Sequence, residues 1–332
     1  MSGKTNKKQN KKSFDVYFFE AFEEEARFIR KHLKGEIKFG LTNRTIQESG
    51  YRNPPSSLIS VRTQSIIPAH WQDKLDGVLS RTTGYDNLLN FKNSIHKNVI
   101  CGYLDEYATR SVAEHAIMVM LSLMRYLPRQ LYQMKSFNRD GITGKECKGK
   151  NLLVVGVGRI GSEIAGIAKG LGMNVKGVDI VKKYDFISYT EKYEGIRWAD
   201  VIICAMDLNE SNYHYFNYDL LKKAKKGAIF INIARGEHSP LKDMLKLLKE
   251  RKLSGIGLDV FEDEPVVSTA LRNPAQKNFE NVRIINELLN YPNVILTPHN
   301  AFNTIESLNR KVGSSINEIL YFLKHHDFHN RI

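Results

Sequence analysis

Cysteine is scarce: Cys101, Cys147 and Cys204 are the only three in a chain of 332 residues, and they stand far apart. An odd, scattered set excludes a disulfide framework and has no metal-ligand spacing, so no metal is expected. Thiols without partners point to a reducing, cytoplasmic compartment. Long hydrophobic runs are missing too. No stretch reaches the roughly 18–20 apolar residues that a spanning helix needs. The most apolar segment, Glu114–Leu127, has His115 inside it and Arg125 near its end. A secretory signal is not expected, because the first thirteen residues are polar in character. Acidic residues are absent from this opening segment, which carries Lys4, Lys7, Lys8, Lys11 and Lys12 of a net charge of +13. Residues 1–13 therefore read as a disordered, solvated tail rather than a nucleic-acid arm. No repeat of fixed period occurs, which excludes a solenoid.

What is present is ordinary globular composition, 42% hydrophobic, in a chain long enough for two packed cores. After the tail, Phe14–Phe19 reads as a strand and Glu20–Leu33 as an amphipathic helix, followed by strands at Leu58–Val61, Gly77–Ser80 and Val99–Gly102. Ser111 with Glu114 fits a capping box opening a helix that runs to about Leu127 and stops at Pro128. From Asn151 strands and helices alternate: Asn151–Val155, Asn174–Val178, Val201–Cys204, Ala228–Ile233, Gly255–Val260 and Asn293–Leu296 are the strand-like runs. The pattern is α/β, with doubly wound parallel sheets. A closing helix, Ile305–Leu323, places Leu308, Val312, Ile316, Ile319, Leu320 and Leu323 on one face that needs a partner.

Between the first of these later strands and its helix lies Gly156-Val157-Gly158-Arg159-Ile160-Gly161. Strand, glycines and helix together form the phosphate cradle of a dinucleotide site. Gly156, Gly158, Arg159, Ile160 and Gly161 are its candidate contacts, with backbone N–H groups of the helix start facing the pyrophosphate. Asp179, eighteen positions after Gly161, ends the next strand and matches an acid that binds the ribose hydroxyls. Its charge would repel a 2′-phosphate, which favours NAD over NADP, although Lys182 and Lys183 stand nearby.

Three titratable residues follow the ends of three strands: Arg235, Glu264 and His299. In an open parallel sheet, ligands bind beyond the carboxyl ends of the strands, on the same edge as the Gly156 turn. The chemistry fits reduction of a 2-keto acid. A guanidinium binds the carboxylate and polarises the carbonyl. An imidazolium donates the proton, and a carboxylate beside it favours its charged form.

With these residues in view, the chain resembles the D-isomer-specific 2-hydroxyacid dehydrogenases. The resemblance rests on the Gly156–Gly161 turn with Asp179, on Ile233-Ala234-Arg235-Gly236, on Gly257 to Pro265, and on Leu296-Thr297-Pro298-His299. It implies catalytic roles for Arg235, Glu264 and His299. Ala234 and Asp259 join the cofactor contacts, with Asp259 at the nicotinamide end. Thr83, Gly84 and Tyr107 join Arg235 around the substrate. It further implies a Rossmann-type NAD domain (107–303) inserted into a flavodoxin-like substrate domain (14–106 plus 304–332), cleft closure, and a homodimer. The long insertion between Glu264 and His299, which stand 35 positions apart, the run His299–Thr304 and Tyr107 are similar to the D-lactate dehydrogenase branch. The chain departs from many relatives at Ala205-Met206-Asp207, where they carry His-x-Pro, and at Pro240, where an acid is usual. Two rivals share the scaffold: a phosphoglycerate dehydrogenase-like enzyme, for which Arg62 is a candidate phosphate contact, and an NADH-sensing interaction protein resembling the C-terminal binding corepressors.

Overall fold

The computed structural model describes residues 14–273 and 279–332; the expected tail, 1–13, lies outside the described residues. The chain divides into two units, Met1–Tyr107 with Ile305–Ile332, and Ala108–Thr304.

The first unit opens with β1 (Val16–Phe18), α1 (Glu23–His32), β2 (Phe39–Leu41), α2 (Ile46–Ser49), β3 (Leu58–Val61), β4 (Gly77–Ser80), α3 (Asp86–Ser94) and β5 (Ile100–Tyr103). Its sheet runs β2-β1-β3-β4-β5, and every pairing is parallel. This is the flavodoxin-like order. All four residues of β3 and of β4 are buried, as parallel strands covered on both faces must be.

The second unit contains α4 (Thr109–Met124), α5 (Leu127–Gln133), β6 (Asn151–Val155), α6 (Arg159–Gly170), β7 (Asn174–Val178), β8 (Ser188–Tyr189), α7 (Lys192–Trp198), β9 (Val201–Cys204), α8 (Tyr218–Leu221), β10 (Ala228–Asn232), α9 (Leu241–Lys249), β11 (Leu253–Leu258), α10 (Glu264–Arg272), α11 (Glu280–Leu288) and β12 (Val294–Leu296). The sheet order is β12-β11-β10-β9-β6-β7-β8, again all parallel. From β6 the chain first builds outward through β7 and β8, then returns to the other side at β9. That reversal is the switch point of a Rossmann fold, where a crevice opens beyond the strand ends. The chain then re-enters the first unit as α12 (Ile305–His325), which packs on α1 and buries Leu308, Val312, Ile316, Ile319 and Phe322.

Several local expectations are corrected. The first helix starts at Glu23 rather than Glu20. Glu20 takes a left-handed backbone (φ +54°) and its carboxylate accepts from the N–H groups of Arg62, Gln64 and Ser65, so it serves a neighbouring loop instead. Ser111 is not a cap. α4 begins two residues earlier, the Ser111 hydroxyl donates back to the Ala108 carbonyl, and Glu114 pairs with Arg110. A true capping box occurs at Thr45 and Glu48. Pro128 stands in the first turn of α5, where its missing N–H costs nothing. β2, a Phe-Gly-Leu run with a central glycine, and β8, two residues long, were not legible.

One buried feature of the first unit is ionic. Glu25 of α1, Arg81 just past β4 and Lys311 of α12 are all fully buried. The Glu25 Oε1 atom lies 3.0 Å from Arg81 Nε and 2.8 Å from Lys311 Nζ. Burial opposes the Glu25 charge, but Arg81 and Lys311 outweigh it and hold its pKa at about 2.

Candidate active site

The dinucleotide turn follows directly from β6. Gly156 adopts φ +89°, and a side chain there would lie 2.5 Å from the Met206 backbone nitrogen. Only glycine tolerates both conditions. At Gly161 a Cβ would stand 2.0 Å from the Gly156 carbonyl oxygen, so helix α6 packs hard on the turn. Gly158, between them, caps α6 without any side-chain bond, and nothing lies within 4 Å of where its Cβ would be. Arg159 and Ile160 begin the helix above that open space. Asp179, one residue past β7, borders the same turn: its Oδ2 accepts from Val157 N at 2.5 Å and its Oδ1 from Val181 N at 2.9 Å. Open space at a helix N-terminus, beside an acid, fits a pyrophosphate and its ribose. A Gly158→Val enzyme should fold as the parent does and lose NADH affinity by more than tenfold. Unchanged affinity by fluorescence titration would remove the turn from the cofactor site.

Arg235 follows β10 in a turn that is held from below. The fully buried Asn232 donates from Nδ2 to the Arg235 carbonyl (2.8 Å) and to Ser239 Oγ (2.8 Å), and its Oδ1 accepts from Ala234 N (3.0 Å). The half-buried guanidinium donates to the Ala234 carbonyl at 2.8 Å. A Cβ on Gly236 would fall 1.9 Å from the Phe261 carbonyl carbon, so this turn presses against the backbone that leads to Glu264. Glu264 opens α10, behind Asp263 in a left-handed conformation.

His299 stands three residues past β12 with φ +50°. Its Nδ1 lies 2.7 Å from Glu264 Oε1. Burial works against the imidazolium, but the charge and hydrogen bond of Glu264, with Asp259 behind, raise the pKa above its ordinary value; Arg235 pulls the other way. The same imidazole thus feels both the acid and the arginine.

Asp259, nearly fully buried, spends its carboxylate on the loop that carries His299. Oδ1 accepts from Thr297 Oγ1 (2.5 Å) and Asn300 N (2.8 Å), and Oδ2 from Ala301 N (2.9 Å). Its own carbonyl accepts from His299 N at 2.8 Å. His115 of α4 completes the cluster, with Nε2 3.1 Å from Thr297 Oγ1. Burial lowers the pKa of this second histidine, against the pull of Asp259. Sequence reasoning missed Asn232, Thr297 and His115 as supports. The available signal was a lone histidine between the buried positions Val112 and Val119 of an apolar helix.

Thr83, Gly84 and Tyr107 belong to the first unit. Thr83 and Gly84 form the turn after β4, with Thr83 exposed, its hydroxyl donating to the Asp105 carbonyl, and the Gly84 carbonyl accepting from Thr82 Oγ1. Tyr107 is buried; its carbonyl accepts from Arg310 Nε and its ring lies 6.0 Å from Lys311 Nζ.

Residues 117–301 match the model of the D-isomer specific 2-hydroxyacid dehydrogenase, NAD binding domain. A D-lactate dehydrogenase of Streptococcus pyogenes serotype M1 is 30% identical over 297 residues, covering 86% of this chain and 87% of that protein. The chain belongs to the D-isomer specific 2-hydroxyacid dehydrogenase family. A 2-hydroxyacid dehydrogenase homolog of Zymomonas mobilis is 32% identical over 252 residues, 73% of this chain and 74% of the relative. Among solved structures, D-lactate dehydrogenase from Aquifex aeolicus, complexed with NAD and lactic acid, superposes with a TM-score of 0.82 at 28% identity, covering 94% and 96% of the two chains. The dehydrogenase is an NAD-dependent oxidoreductase of D-2-hydroxy acids.

Proposed function

We propose that this dehydrogenase reduces a small 2-keto acid, pyruvate before others, to the D-hydroxy acid, with His299 as proton donor. The observation that carries the assignment is the 2.7 Å contact between His299 Nδ1 and Glu264, which leaves Nε2 as the nitrogen available to a substrate. Bound NADH supplies the hydride that reaches C2. His299 Nε2 gives the proton to the carbonyl oxygen, and in oxidation the neutral ring takes it back. Arg235 pairs with the substrate carboxylate and polarises the carbonyl. Asp259 acts through the loop it holds, keeping His299 in register rather than exchanging protons itself. Thr83 and Gly84, in the turn after β4, are assigned as carboxylate contacts, and Tyr107 as a further substrate contact. The lactate preference draws on the relatives named D-lactate dehydrogenase. The test is NADH oxidation with pyruvate, phenylpyruvate, oxaloacetate and phosphohydroxypyruvate. Pyruvate should give the highest kcat/KM; a higher value with phosphohydroxypyruvate would move the enzyme to the phosphoglycerate class, and no turnover with any acid would favour the interaction protein.

We also infer a homodimer in a reducing, cytoplasmic setting. α5 and the turn after it expose Leu131, Tyr132, Met134 and Phe137 close together in sequence, an apolar surface of the kind that marks an interface. The three cysteines are free thiols, and no helix among the described residues is long and apolar enough to cross a membrane. Leu131→Asp with Tyr132→Asp should convert a dimer to a monomer in sedimentation. A parent that sediments as a monomer would exclude the assignment.

A further inference from the structure

His238 is fully buried in the turn after Arg235, and both of its ring nitrogens face backbone carbonyl oxygens. Nδ1 lies 3.1 Å from the Asn212 oxygen and Nε2 lies 3.2 Å from the Met206 oxygen. A neutral imidazole has a single N–H, so it can serve only one of these carbonyls, and its lone pair then faces the other. Only the imidazolium satisfies both. The backbone around it is laced to the same segment: Phe216 N donates to the His238 carbonyl and His214 N to the Glu237 carbonyl, each at 2.8 Å.

The segment so gripped is the wall of the dinucleotide turn. Ala205 and Met206 supply the backbone atoms that press on Gly156. Between its two anchor points the segment is cross-linked by its own hydrogen bonds. Asn209 and Asn212 cap one another, and Asn212 Nδ2 donates to the Asp207 carbonyl at 2.7 Å. These bonds tie Asn212 back to Asp207, next to Met206.

We propose that His238 is a proton-controlled positioning residue of the NAD site, whose doubly protonated ring clips residues 206 and 212 to the Arg235 turn and tightens the wall against Gly156. The proposal rests on the assignment of the Gly156 turn to the dinucleotide. The charges that bear on the ring are Arg235 from its own turn, which disfavours the imidazolium, and Asp207 from the facing segment, which favours it. Burial comes first among the causes and lowers the pKa, against the two carbonyls, so the second clip forms on the acidic side of the ordinary histidine range. The cofactor should accordingly bind more tightly as the pH falls.

The experiment is a fluorescence titration of the full-length enzyme with NADH between about pH 8 and about pH 5, the window in which a histidine titrates. The parent Kd should fall by about tenfold toward acid, roughly the worth of one added hydrogen bond to a charged group. His238→Gln, which cannot change charge, should keep a flat, weaker Kd. Parallel profiles for parent and variant would overturn the proposal while leaving the site assignment intact. Gly158→Val reports the other failure: parent-like Kd values at every pH would mean that the turn does not hold the dinucleotide at all. Nitrogen-15 spectra of the parent imidazoles keep the test independent of the variant's folding. A His238 ring that stays singly protonated down to about pH 5 would also overturn it.

Discussion

His299→Ala is expected to lower kcat for keto-acid reduction by roughly 10²–10⁴-fold, the usual worth of a positioned general acid. NADH affinity should change little, because the ring is assigned to the substrate side. The partner substitution reveals mechanism rather than mere loss. Reduction requires the imidazolium, so its rate is full below the pKa of His299 and disappears as the pH rises through it. Glu264 lies 2.7 Å away and, against burial, holds that pKa above the ordinary value. Glu264→Gln keeps the size of the side chain and removes the charge, so the basic limb of kcat/KM should move to lower pH. A limb that stays in place in the variant would show that Glu264 does not tune His299. Arg235→Ala should differ from both, damaging KM and kcat together, since carboxylate binding and carbonyl polarisation disappear at once.

The largest expected loss of stability lies in the first unit, at Glu25. Its carboxylate is the shared partner of two fully buried cations, Arg81 and Lys311. Glu25→Gln removes the counter-charge that both share, which should cost about 3–5 kcal/mol, the usual price of breaking a buried pair from one side. Lys311→Met should be far milder. Burial already pulls the Lys311 pKa down to about 7, against the attraction of Glu25, and the variant leaves Glu25 paired with Arg81. The sign with pH follows from Glu25. Its pKa is depressed to about 2, so its contribution is present above the normal carboxylate range and disappears as the pH falls through about 2. Denaturant unfolding of the two variants at neutral pH, and of the parent along an acid series, checks the ordering. Equal losses for Glu25→Gln and Lys311→Met would refute the argument that the stranded cations set the cost.

What the sequence determined by itself was local and contiguous. The turn Gly156–Gly161 is legible because its strand, its glycines and its helix lie within about twenty residues. The runs that became β6, β9 and β10 were legible for a similar reason, since strands buried on both faces are nearly continuously apolar. The positions of Arg235, Glu264 and His299 after successive strands followed from the rule that parallel strands present their carboxyl ends on one edge. The tertiary structure decided what each polar group does once there. Ser111 with Glu114 and Thr45 with Glu48 both match the capping pattern, and only the packed helices show that Ser111 is internal. Asp259 was legible as a residue of the site, but its carboxylate turned inward to hold Thr297, Asn300 and Ala301, about forty residues away. Glu25, Arg81 and Lys311 carry no local signal at all, because the cost of burying each charge is offset only by partners from distant parts of the chain. His238 is the same case on a smaller scale. Its two carbonyls come from residues 206 and 212, and a pattern read along the chain contains no information about which backbone oxygens a buried ring will meet.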